Sequence, residues 1–154
     1  MRKIVTPLLL GLGATFLTDL WSFILRFFGV KSGGLLIVGS WLSTNILNLN
    51  LSTSQNWVLG WSAHYLIGII FSFLFFKINS KWLNNPKLSI SIYFGLVSTI
   101  FPLFIAWPIM GFGIAFSNTP IQSILIIKTF TIHLVYGVGL FLTSISIKRI
   151  NKTI

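Results

Sequence analysis

The sequence predicts an all-α integral membrane protein, a four-helix bundle with a kinked third helix and an interfacial segment in its first loop. Three observations carry that prediction. At 55% hydrophobic and 8% charged, the composition departs from that of soluble domains, where roughly a quarter of residues are charged. Apolar windows of about 20 residues recur at 4–25, 57–76, 88–107 and 124–147, each long enough to cross ~30 Å of hydrocarbon as a helix. The runs are continuous, without the alternation of barrel strands, so helices are the way to satisfy the backbone in lipid. Residues 1–154 read as a single membrane domain.

Met1-Arg2-Lys3 before an apolar run resembles a signal peptide. The run is long, however, contains Asp19 and lacks an A-x-A cleavage site before Arg26, so an uncleaved first span is expected. Lys31-Ser32-Gly33-Gly34 closes that span. Residues 35–47 (LLIVGSWLSTNIL) are apolar but short and dotted with Ser and Gly, which fits an interfacial or re-entrant piece carrying Trp41. Residues 48–56, rich in Asn and Ser, read as an exposed loop, and the Asn50-Leu51-Ser52 glycosylation sequon inside them reads as a chance match. Trp57, Trp61 and Trp82 flank the second span as interfacial aromatics do. Pro102 and Pro108 are expected to kink or break the third span, after which 109–116 either prolongs that helix or folds back into the membrane. Thr119 and Pro120 are expected to cap and open the fourth helix.

The net charge of +10 invites a nucleic-acid reading, but the basic residues form no single stripe. Arg2, Lys3, Lys77, Lys81, Lys87, Lys148, Arg149 and Lys152 fall on one side of a four-span topology, and only Arg26, Lys31 and Lys128 fall on the other. By the positive-inside rule both termini and the middle loop are cytoplasmic. No nucleic-acid partner is expected; membrane lipids are, including anionic head groups near the basic residues. Cysteine is absent, which excludes disulfides, thiol redox chemistry and thiolate metal sites.

Asp19 is the only carboxylate side chain in the chain, and it lies inside the first apolar run. An unpaired carboxylate in a membrane costs several kcal/mol, roughly 3 on insertion scales, so it needs a partner or a purpose. His64 and His133, the only histidines, lie inside the second and fourth runs. Steps of three or four residues place Thr15, Asp19 and Arg26 on one face with Gly11 and Ser22, and His64 on one face with Gly60, Gly68 and Ser72. They place Ser91, Gly95 and Ser98 or Thr99 together in span three, and His133 with Thr129, Gly137 and Ser144 in span four. Small residues let helices approach in a bilayer, so these faces turn inward. Counted from the predicted span ends, Asp19, His64 and His133 fall at similar depth in the outer half of the membrane. Asp19, His64, His133, Thr15 and Arg26 are the candidate polar site.

Four uses of such a layer stay open. Asp19 hydrogen-bonds a histidine or Arg26 and merely fastens helices, as in a structural partner subunit; the layer binds or passes a small solute or proton; Asp19 and a histidine act as base and acid of a membrane enzyme on a lipid or small molecule. Metal or haem ligation by the histidines is the fourth, but neither has a diagnostic motif, and no cofactor is named by the sequence. The Gly-x-Gly pairs at 11/13, 111/113 and 137/139 follow no strand, which favours close helix packing over dinucleotide binding. Four spans are few for a translocating protein, which leaves room for a homodimer. One internal echo pairs His64-Tyr-Leu-Ile-Gly68 with His133-Leu-Val-Tyr-Gly137, on two helices expected to run in the same direction.

An ordered series of motifs also resembles a known family. It runs through Gly13-Ala14-Thr15, Asp19-Leu20-Trp21, Val38-Gly39-Ser40-Trp41-Leu42 and Leu59-Gly60-Trp61-Ser62-Ala63-His64-Tyr65-Leu66-Ile67-Gly68. It continues through Pro108, Gly111-Phe112-Gly113-Ile114-Ala115 and Thr119-Pro120 to His133-Leu134-Val135-Tyr136-Gly137-Val138-Gly139-Leu140. Across roughly residues 10 to 142 the chain resembles the domain of unknown function 2938 family of bacterial membrane proteins. The resemblance implies a multi-pass protein of the bacterial inner (cytoplasmic) membrane and brings no catalytic residues with it. The chain departs from the family pattern at Ser40, in place of a basic residue, and at Trp107, in place of the Gln that precedes the proline.

Overall fold

The computed structural model describes residues 2–30, 33–79 and 81–153. Met1, Lys31 and Ser32, named above at the ends of the first span, lie outside the described residues, as do the side chains of Arg2, Lys3 and Lys152. The described residues are helical and contain no strand. The helices are α1 (Arg2–Phe27), α2 (Gly34–Asn45), α3 (Thr53–Ile78), α4 (Leu88–Ser98), α5 (Trp107–Ile109) and α6 (Gln122–Thr153). Short 3-10 turns lie at Trp82–Asn84 and Ile114–Phe116.

Four segments are long and apolar enough to cross a membrane: Ile4–Phe27, Thr53–Ile78, Leu88–Ile109 and Gln122–Arg149. The third is composite. Pro102 has no N–H to return to the carbonyl one turn before it, and Pro102–Ala106 forms a π turn closed by Trp107 N–H on Pro102 O between α4 and α5. The kink expected from the prolines is therefore present.

Missing side chains set the helix pairings. A Cβ on Gly68 would strike Thr15 Oγ1, and one on Gly11 would come within 2.8 Å of Ser72 Oγ, which fixes α1 against α3. Gly139 and Gly13 face Ala14 and Thr143, joining α1 to α6, and Gly95 and Gly137 bring α4 and α6 into backbone contact. In each pair the residue numbers run in opposite senses, so the helices are antiparallel. α3 and α6 are thus parallel, and the α1 start, the α3–α4 connection and the α6 end share one end of the bundle. Lys148 Nζ donates to Asn84 O there at 2.7 Å. Leu10, Ala14, Phe75, Trp82, Tyr136 and Leu140 fill the interior toward that end. Elsewhere large apolar side chains such as Phe16, Phe23, Val58, Leu66 and Phe104 point outward, as lipid-facing positions do.

The first loop holds α2, which packs antiparallel against the first turns of α3. Gly39 abuts the Asn56 carbonyl, and Gly60 the Leu35 carbonyl. This packing holds the expected first-loop segment against the start of the second span. The loop expected at 48–56 ends sooner, because Ser52 and Gln55 form a reciprocal capping box that starts α3 at Thr53.

The segment after the third span does not prolong the helix; it turns back against the end of that span, with Phe116 beside Trp107. Gly111 and Gly113 adopt φ of 89° and 75°, which ends α5 and turns the chain. Asn118 Nδ2 and Gln122 Nε2 then tie the turn to Gly111 O and Ala115 O. Thr119 does not cap α6. Its hydroxyl donates back to Phe116 O at 2.9 Å, and α6 begins only at Gln122.

Candidate functional site

Asp19 lies four residues beyond Thr15 on α1, and His64 four residues before Gly68 on α3. Because Thr15 packs into the space left by Gly68, the next turn of each antiparallel helix brings Asp19 and His64 together. His64 Nε2 stands 3.0 Å from Asp19 Oδ1. The Tyr65 hydroxyl donates to Asp19 Oδ2 at 2.8 Å. The lone carboxylate thus has a donor on each oxygen, both from α3. The pair is not sealed: the side chains retain 17% (Asp19) and 28% (His64) of their exposure.

Aromatic rings continue this wall along α3. Trp61 stacks on Tyr65 with centroids 6.1 Å apart, and His64 stands edge-on to both. Spacings of three and four residues put these rings on one face. Trp61 is exposed over 41% of its surface.

His133 belongs to a second cluster. Its Nδ1 is 2.7 Å from Ser98 Oγ, and Ser98 Oγ is also 2.6 Å from Gly95 O. With the single hydroxyl hydrogen given to Gly95 O, the serine accepts from His133 Nδ1–H, and Nε2 is left as the ring's acceptor. No hydrogen bond joins His133 to Asp19 or His64. Its depth still matches theirs. The Tyr136 hydroxyl donates to Gly68 O at 2.6 Å, and His133 and His64 each lie about one turn from that contact, in the same direction along parallel helices.

The remaining sequence candidates take different places. Thr15 is buried, its Oγ1 against Gly68 without a hydrogen-bond partner and its carbonyl accepting from Thr18 Oγ1. Arg26 is exposed in the last turn of α1 and makes no ion pair with Asp19. Seven residues of helix, about 10 Å of rise, separate them. Among the described residues no three His, Cys, Asp or Glu side chains stand close enough to hold a metal ion, so the two-His, one-Asp ligand set is not assembled.

Tyr65 is the partner that residue counting missed. Steps from Gly60 through His64 to Gly68 define a face one residue wide, and Tyr65 sits 100° round the helix from His64. Asp19 reaches the seam between the two. Trp107, the departure from the family pattern, packs on Phe112 and Phe116 with Gly34 beside it.

The two halves of the bundle share a plan. In each, an antiparallel helix pair meets at a glycine of the second helix, Gly68 or Gly137, and the histidine four residues earlier bonds a polar side chain of the first. The sequence echo therefore falls on corresponding places, with Asp19 in one half and Ser98 in the other.

The chain matches the family described as "Protein of unknown function (DUF2938)" over residues 8–147, and it belongs to that family. No curated protein matches the chain, and no solved structure does.

Proposed function

Starting from a family whose description assigns no activity, we propose that this membrane protein binds a small solute inside the bilayer at a proton-linked centre, the Asp19–His64 pair, as the binding step of its translocation. The observation that carries the reading is the position of the chain's one carboxylate. It is bonded by His64 and Tyr65 and yet remains partly open. A group that only fastened helices would have no need of that opening, and Gly68, Tyr136 and Ser72 already join the helices nearby.

An Asp–His pair 3.0 Å apart has two forms that differ by one bound proton: aspartate beside imidazolium, neutral overall, and aspartate beside neutral imidazole, with one negative charge. A solute that prefers one form takes up or releases that proton on binding. The apolar core at the termini end closes the layer from that side. Passage of a solute therefore requires this packing to open, and the π turn at Pro102–Ala106 is where the third span already departs from regular helix. The placement belonging to this reading is the bacterial inner membrane with both termini cytoplasmic. Lys77, Lys81, Lys87, Lys148 and Arg149, all at the termini end, support it through the positive-inside rule.

Native mass spectrometry of gently purified protein tests the proposal. The expected result is a small-molecule adduct on the wild type, reduced at least ~10-fold on Asp19→Asn that retains its near-UV circular dichroism. Equal occupancy of the two proteins, or a wild type carrying lipid alone, overturns it.

A further inference from the structure

We propose that the solute taken by this site is a small organic cation of the ammonium class, and that it exchanges with the proton held by His64. The inference rests on the binding role of the Asp19–His64 pair and adds the chemical class of its ligand.

The chemistry of the walls points to that class. Asp19 is an acceptor with about four lone-pair positions, of which His64 and Tyr65 use two, so the carboxylate keeps acceptor capacity for a further positive group. Beside it stands Tyr65, whose hydroxyl bonds the carboxylate, with Trp61 stacked on the Tyr65 ring and well exposed. A carboxylate beside Trp and Tyr is the combination that holds alkylammonium ions, through charge on one side and ring quadrupole on the other. An anion would meet Asp19 with like charge. An uncharged apolar solute would gain nothing from the carboxylate.

The surrounding elements add no competing acid. α1 carries Asp19 and, two turns on, the exposed Arg26. α3 contributes His64 and Tyr65, and α6 contributes His133 and Lys128. Neither α2 nor α4 has a charged side chain; Lys87 precedes α4, and Tyr93 is the one titratable group on it. Asp19 is thus the one negative group in the layer, and two cations cannot share it without uncompensated charge. When His64 is protonated, the pair is neutral overall. Binding of an external cation then releases the imidazolium proton to water, and the net charge of the centre is unchanged. Cation and proton occupy the same carboxylate in turn.

Isothermal titration of the purified full chain in a non-ionic detergent, with three probes of similar size, tests this. Phenyltrimethylammonium is the cation, N,N-dimethylbenzamide the neutral probe and benzenesulfonate the anion. The expected result is saturable binding of the cation alone, weakened about tenfold or more by Asp19→Asn and by Trp61→Leu. Titrations in buffers of different ionisation enthalpy, repeated across a range of pH, are expected to report up to one proton released per cation by the wild type. His64→Gln is expected to bind without that release. Absence of cation binding, or binding unaffected by both Asp19→Asn and Trp61→Leu, overturns the inference. If the neutral or anionic probe binds in an Asp19-dependent way instead, the cation class falls and the binding role stands. If no probe binds and the wild type carries no adduct, both fall.

Discussion

A carboxylate within a membrane bundle is tolerated in proportion to the donors it finds, and Asp19 finds two on adjacent residues of one helix. The Tyr65 bond has a neutral donor and a charged acceptor and lies at a partly open site. Its removal should cost about 1 kcal/mol, toward the low end for hydrogen bonds to charged groups, because side-chain bonds in membrane bundles average well below 2. Tyr65→Phe is therefore expected to lower the unfolding free energy in a detergent titration by about that amount. The same substitution in an Asp19→Asn background should cost distinctly less, since a neutral amide is the weaker acceptor. Equal costs in both backgrounds would remove Asp19 from the interaction. The small-residue face of Asp19, at the depth of both histidines, was legible in sequence. Which of His64, His133 and Arg26 it meets stays open in sequence until the α1–α3 contact at Gly68 selects His64. Tyr65 was not legible, because a periodicity argument selects the centre of a helix face, whereas a carboxylate on the neighbouring helix bonds whatever flanks the seam. His133 was legible in depth alone. Which neighbour it turns to depends on the α4–α6 contact at Gly95, and no spacing in the sequence encodes that.

At the scale of elements, the bundle is built on positions where one helix's backbone occupies the space of another's missing side chain. Gly39 and Gly60 are the clearest case, because a Cβ at either would fall on a carbonyl of the partner helix, which cannot swing aside as a side chain can. Gly60→Val is expected to destabilise the protein by about 3 kcal/mol, the upper part of the range for overpacking, and to free α2 for proteolysis in its flanking loops. Gly34→Ala is the matched control. Its Cβ would meet Trp107 at an ordinary 3.5 Å, so stability should change by less than about 1 kcal/mol. Similar losses in the two variants would show that α2 does not depend on this crossing. The spans themselves were legible from hydropathy, and the kink from Pro102. The helix ends were less so. The S-x-x-Q signature at Ser52–Gln55 was present inside an Asn/Ser-rich stretch whose composition pointed to loop, and composition masked it. At Thr119 the opposite happened, since a good local cap signal lost to the turn that Gly111, Gly113, Asn118 and Gln122 build around the preceding residues.

The molecule as a whole is asymmetric along its axis. The termini end holds the aromatic core of Phe75 and Trp82 and the basic side chains of Lys77, Lys81, Lys87, Lys148 and Arg149. The other end holds the polar layer, α2 and the Trp107 turn. In the proposed orientation the basic end meets the cytoplasmic leaflet, where anionic lipid attracts each exposed Lys or Arg by about 1 kcal/mol. The Asp19 site then opens toward the outer half of the membrane, and a ligand reaches it from outside without crossing the core. Orientation and direction of access are thus one prediction. The absence of cysteine makes it directly measurable with single substitutions at exposed loop positions, Asn48→Cys in the α2–α3 loop and Lys81→Cys in the α3–α4 connection. In intact spheroplasts a membrane-impermeant maleimide is expected to label Asn48→Cys and leave Lys81→Cys unmodified, with the reverse pattern in inside-out vesicles. Labelling of Lys81→Cys from outside would invert the protein, place the Asp19 opening on the cytoplasmic side, and make the first accessible ligand one drawn from within the cell.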